Sequence, residues 1–84
     1  MTRAEVVAIL RRDNPGAPAD EVAMYADSYM DYQEAQANIS KHGNVVAHPR
    51  TGAPMENPYI KVKVAAMGQL KKNTRLRKLS ALWD

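Results

Sequence analysis

The chain has 84 residues, a net charge of +3 and no cysteine, which describes one small domain and excludes disulfides, thiolate metal sites and thiol nucleophiles together. No apolar run approaches the ~20 residues needed to cross a bilayer, and an acid interrupts the opening Met-Thr-Arg-Ala-Glu with no long apolar core after it, so no signal peptide is read there and a cytosolic protein without membrane contact is expected. The charge is divided: residues 1–40 carry three basic side chains against seven acids (−4), and residues 41–84 carry nine against two (+7), a polarity suited to a polyanion, to head-to-tail pairing of copies, or merely to a solvated basic surface.

The expected fold class is mainly α, with three to four helices and a short β-hairpin-like excursion between the second and third. Thr2-Arg-Ala-Glu5 fits a capping box and opens a helix over about 2–13, with Val6, Ile9 and Leu10 on one face. Asn14-Pro15-Gly16 ends it, because proline breaks the hydrogen-bond ladder and glycine relaxes the backbone. A long helix is predicted over about 18–41, roughly 35 Å at the usual rise, with Asp20 and Glu21 at the positive end of its dipole. Val22, Tyr25, Tyr29, Tyr32, Gln36 and Ile39 follow 3-4 spacing, while Asp27, Asp31 and Glu34 mark the wet face. Either the neighbouring helices cover this broad apolar arc, or part of it packs on another subunit. A domain of this size buries only roughly 60–65% of its unfolded surface, and tyrosine suits such a contact because its hydroxyl keeps a polar partner.

Residues 43–57 read as a turn-rich hairpin. Gly43 suits the left-handed position past a helix, Val45-Val46-Ala47 and Ala53-Pro54-Met55 suit short strands about the turn His48-Pro-Arg-Thr-Gly52, and Asn57-Pro58 suits an N-cap and first helical residue. A basic helix or pair of helices is expected over about 58–83. Ile60, Val64 and Met67 share one face and Leu76, Leu79 and Trp83 another, rotated by roughly 120°, so a break or a change of partner is predicted near Lys72-Asn73-Thr74, with Thr74 as a possible cap of a separate C-terminal helix.

Candidate functional residues lie mostly in this basic half. If the helix were continuous, Lys61, Lys71, Lys72, Arg75 and Lys78 would fall within roughly 120° of arc, with Lys63 and Arg77 on the other side. Such a stripe tracks phosphates without reading bases, and solubility is the plain alternative. Arg50 at the turn tip suits a phosphate or an acidic patch on a neighbouring copy, with a pure backbone role for the turn equally open. Trp83 either anchors the chain end or contacts a partner. His42 and His48 lack an acidic orienter and a thiolate to complete a zinc site, so a surface or hydrogen-bonded turn role is expected and no metal. No serine stands at recognisable spacing from a histidine and an acid, and no GxxxxGK[ST] loop is present. Neither catalysis nor a cofactor is expected.

The order KHGNVV, HPRTGAPMENPYIKVK and AAMGQLKK, preceded by YADSYMDYQEAQANI, resembles the small subunit of phage terminases, in the P27-type group. The resemblance covers most of the chain, and the HPRTGAPxENPY run is its specific part. It implies a non-catalytic DNA-packaging adaptor in the host bacterial cytoplasm. Such a protein forms a ring-shaped homo-oligomer, binds phage double-stranded DNA and presents it to the large ATPase-nuclease subunit. With this reading, DNA contacts are expected at Arg50, Lys61, Lys71, Lys72, Arg75, Arg77 and Lys78, and oligomer contacts at Tyr25, Tyr29, Tyr32 and Trp83. The alternatives are a small phage DNA-binding transcriptional regulator, which would bind a symmetric site as a dimer, and a structural adaptor that binds protein and never DNA.

Overall fold

The computed structural model describes residues 1–73 and 75–83 of the chain. Among these residues it has four helices, α1 (Arg3–Asp13), α2 (Ala19–His42), α3 (Tyr59–Lys72) and α4 (Ser80–Trp83), with an antiparallel hairpin of β1 (Val45–Ala47) and β2 (Pro54–Glu56) between α2 and α3. The mainly helical architecture with a hairpin excursion is the one expected. The molecule is elongated, 51 × 22 × 19 Å.

α1 begins with the predicted capping box. The Thr2 side chain accepts from the Glu5 amide at 3.3 Å, and Glu5 accepts from the Thr2 amide at 3.2 Å. The hydrogen bond from the Thr2 backbone, then that from its hydroxyl, hold the Glu5 carboxyl below its ordinary pKa. A carboxylate depressed in this way stabilises the fold above its unfolded pKa and loses that contribution as pH falls through its folded value. Thr2→Ala is therefore expected to lower stability by about 1 kcal/mol near neutral pH. The difference from wild type should narrow in acid, which paired urea titrations across pH will check.

α2 is the spine of the molecule. Val6 and Leu10 of α1 are buried against Val22, Tyr25, Ala26 and Tyr29. α3 runs antiparallel to α2: Tyr59 at its start donates to Glu34, and Asn73 just past its end donates to Glu21. The other end of the core is closed by the C-terminal segment, whose Leu76 and Leu82 are buried in the same cluster.

Gly43 closes α2 through its amide, which donates to Ile39 O at 2.8 Å. Its φ is +85° as the sequence implied, but ψ is 177°, so the backbone turns straight into the strand instead of entering the left-handed helical region. This conformation is almost confined to glycine. Gly43→Ala meets no steric obstacle nearer than Val45 O at 4.0 Å, so its expected cost of about 1–3 kcal/mol is backbone strain alone, measurable by chemical denaturation.

The hairpin pairs Val45 with Glu56, Val46 with Met55 and Ala47 with Pro54. Asn57 donates to Asn44 O and His48 donates to Ala53 O, both at 2.8 Å. In an antiparallel ladder the hydrogen-bonded pairs alternate. Val46 and Met55 therefore pair between those two rungs, and the N–H and C=O groups of Val45 and Ala47 turn to the outer edge of β1. The loop is drawn in by His48, whose Nδ1 accepts from the Arg50 and Thr51 amides. This is the hydrogen-bonded turn role expected for His48.

Asn57 locks the hairpin to the helices. It is 1% exposed. Its Oδ1 accepts from the Tyr59 amide at 3.0 Å, the predicted N-cap bond. Its Nδ2 donates to Gly43 O at 2.9 Å and to Asn38 Oδ1 at 3.0 Å. Pro58 is already helical in φ and ψ, so Asn57-Pro58 acts as cap and first residue although the regular hydrogen bonding is counted from Tyr59.

Candidate nucleic-acid interface

The helix break falls where the two apolar faces of the C-terminal half disagreed. α3 stops at Lys72, and the next helix, α4, starts only at Ser80. The Asn73 side chain accepts from the amides of Arg75 and Leu76, both at 3.1 Å, a local turn that competes with helix. The possible cap at Thr74 lies outside the described residues.

The break, itself expected, decides one conditional reading and corrects one expectation. Residues 75–79 are not helical, so the single basic arc joining Lys61, Lys71, Lys72, Arg75 and Lys78 does not form. Lys61 and Lys72 still share a face of α3, about 20° apart in projection and roughly 16 Å apart along the axis, while Lys71 is rotated by about 80° from Lys61. Leu76, Leu79 and Trp83 likewise do not form one helical face. Leu76 and Leu82 enter the core, and Leu79 packs half-buried against it.

Residues 75–83 instead form a strap folded back over the α1–α2 turn. At its basic end, Asn14 Oδ1 accepts from the Arg77 amide at 2.9 Å and the Lys78 amide at 3.0 Å, and Asn14 Nδ2 donates to Lys78 O at 2.9 Å. At its other end, the Tyr29 hydroxyl donates to Leu82 O at 2.9 Å, and the Trp83 indole donates to the Tyr25 hydroxyl at 2.9 Å. Burial, more than any other influence, pushes the Tyr25 hydroxyl pKa up.

This fold-back brings Arg75, Arg77 and Lys78 around one surface cleft with the turn Asp13–Pro18. Arg77, placed on the opposite side by helical projection, is here grouped with its neighbours. The one acid lining the cleft is Asp13, which is engaged by Arg12 at 3.0 Å. That hydrogen bond first, and the attraction of Arg12 and Lys78 after the opposing effect of burial, keep the Asp13 carboxyl pKa low. Among the described residues, none of Arg75, Arg77 and Lys78 forms an ion pair. Lys71 and Lys72, exposed in the last turn of α3, precede the strap by a few residues. Lys61 lies at the root of the hairpin beside Met55, Glu56 and Pro58, and Arg50 is exposed in the loop at the far end.

The aromatic residues expected at an oligomer contact divide. Tyr25 and Tyr29 are 4% and 5% exposed and belong to the core of the protomer, covered by α1 and the strap. They have almost no surface left for another copy, so intramolecular cover accounts for that part of the tyrosine arc. Trp83 packs edge-on against Tyr29 and Tyr32, at ring-centroid distances of 4.9 and 5.5 Å, and so anchors the chain end. It is nevertheless 41% exposed. Beside it Tyr32, Met67, Leu70 and Lys71 line a small apolar notch. The strap and Asn14's part in it left no local signal; the only hint was that Leu76, Leu79 and Trp83 could not share a straight helix with Ile60, Val64 and Met67.

A mainly helical protein with a fold-back strap and a basic cleft is the class of molecule these features define. The sequence profile of the phage terminase small subunit matches residues 3–80, and the chain belongs to that family. Its role is in phage DNA packaging, and the small subunits of terminases are in general non-catalytic. No curated protein and no solved structure matches the chain. Among the described residues no helix is long and apolar enough to cross a membrane.

Proposed function

We propose that this protein is the non-catalytic adaptor of a DNA-packaging motor. In this reading, copies assemble as a ring, bind phage double-stranded DNA and present it to the large ATPase-nuclease subunit in the host cytoplasm. The HPRTGAPMENPY run is, in our reading, the mark of the P27-type group. The observation that carries the DNA-binding part is the gathering of Arg75, Arg77 and Lys78 around one cleft, close in the chain to Lys71 and Lys72. Such a cluster suits duplex DNA, which carries a phosphate charge every ~1.7 Å along its axis. Lys61 and Arg50 extend the contact along the protomer. In this reading the basic side chains meet phosphates, so binding is tolerant of sequence and sensitive to salt.

The remaining aromatic surface, Tyr32 and Trp83 with the apolar notch beside them, supports the contact between copies. A small domain gains burial there that it lacks alone.

Native mass spectrometry at tens of micromolar protein, with and without a duplex fragment of phage DNA, tests both parts. A discrete oligomer that retains DNA is the expected result. A strict monomer would end the ring reading, and a discrete oligomer that never retains duplex would end the DNA reading.

A further inference from the structure

The basic residues of the strap stand on backbone that belongs to no helix or sheet. Residues 75–79 have no regular partners, so their amides and carbonyls must be satisfied elsewhere. At Arg77 and Lys78 one side chain does this. Asn14 is buried, and its carboxamide uses its whole hydrogen-bonding capacity: Oδ1 accepts from Arg77 N and Lys78 N, while Nδ2 donates to Lys78 O at 2.9 Å and to Leu10 O at 3.2 Å. Two acceptor sites and two donors on one short planar group are found only in asparagine and, one methylene longer, glutamine. Asn14 thus joins the last turn of α1 to two of the three basic residues that line the cleft.

The geometry points to Asn14 as the positioning residue of the DNA contact: it holds the strap so that Arg75, Arg77 and Lys78 are ordered before DNA arrives. This inference rests on the reading of the strap as a phosphate-binding element. Asn14 touches no phosphate itself. With Asn14 intact, the ordering of the strap is complete before binding. Without it, the same three charges sit on a loose segment, and binding must supply the ordering.

That difference has its own signature. The slope of log K against log salt counts the phosphates neutralised, at about 0.9 per contact for duplex DNA. Loss of positioning leaves the charges present, so affinity falls at every salt concentration while the slope is kept. Loss of the charges flattens the slope. Trp83 is the only tryptophan and sits in the strap against Tyr25, Tyr29 and Tyr32, so its emission reports docking without DNA.

The test titrates a 20-base-pair duplex into wild type, Asn14→Ala and the triple variant Arg75→Gln/Arg77→Gln/Lys78→Gln at several salt concentrations, with Trp83 emission recorded on each free protein. For Asn14→Ala a red-shifted emission, an affinity about tenfold weaker and an unchanged slope are expected. Wild-type affinity in Asn14→Ala overturns the inference, whatever the emission does. If the glutamine variant weakens and Asn14→Ala does not, the inference alone falls. If the glutamine variant also binds as wild type, the strap's part in DNA binding falls with it. Should circular dichroism find Asn14→Ala unfolded, Tyr29→Phe releases the opposite end of the strap by removing one hydrogen bond to Leu82 O. Its affinity should drop about threefold, and wild-type affinity in that variant also overturns the inference.

Discussion

Asn57→Ala is expected to lower the stability of the fold by about 3 kcal/mol. Three side-chain hydrogen bonds are lost together, to Tyr59 N, Gly43 O and Asn38 Oδ1. Each is worth roughly 1 kcal/mol net, and more where a buried partner is left unsatisfied. Alanine restores none of them and leaves a void at one of the most buried positions of the chain. For a domain of this length the melting temperature should fall by more than about 10 °C, which a thermal scan by circular dichroism will resolve. Asn57→Asp separates the components. Its carboxylate still accepts from Tyr59 N and suits the positive end of α3, but it cannot donate to Gly43 O, so an intermediate loss is expected. A loss below about 1 kcal/mol for the alanine variant would mean that the hairpin is held by its apolar contacts and not by this side chain.

Neutralising the strap is expected to give the largest change in DNA affinity. Arg75, Arg77 and Lys78 surround one cleft and form no ion pair among the described residues. If each meets one phosphate, replacing all three by glutamine removes about 2.7 from the salt slope and, at about 0.1 M salt, between two and three decades of affinity. The loss should be similar for unrelated duplex sequences, because phosphate contacts carry no base information. Fluorescence anisotropy with two duplexes of different sequence measures both quantities. A loss confined to one duplex would indicate base reading by these residues, and an unchanged slope would place the phosphate contacts on Arg50 and the α3 lysines instead.

The parts of this fold that were legible in the sequence are those written in local chemistry. Thr2 and Glu5 marked the start of α1, Asn57-Pro58 the start of α3, and Gly43 the end of α2, because capping bonds and a positive φ involve neighbours within a few residues. The conflict between Ile60, Val64 and Met67 on one side and Leu76, Leu79 and Trp83 on the other announced the break after Lys72. The route of the chain beyond it was not legible. Apolar spacing in 76–83 fits a helix, yet Asn14, more than sixty residues away in sequence, binds Arg77 and Lys78, and residues 76–79 stay outside any helix, leaving only the short α4 after them. As a sequence feature Asn14 is an ordinary turn residue before proline. The same holds for Tyr25 and Tyr29, whose spacing identified a seam but not that the chain's own Trp83 and Leu82 would close over it. The basic residues were legible as a set, whereas their grouping depended on the strap.

The two edges of the hairpin are unequal. β1 turns complete N–H and C=O groups outward at Val45 and Ala47, with Val45 62% exposed. The outer edge of β2 carries Pro54, which has no N–H to give. Edge-to-edge stacking of strands is an open-ended reaction when both sides of a hairpin can accept a neighbour. Here two hairpins that met along β1 would form a four-stranded patch flanked on each side by a proline strand. Association through hairpin edges would therefore stop at pairs where a symmetric hairpin would go on to build fibrils.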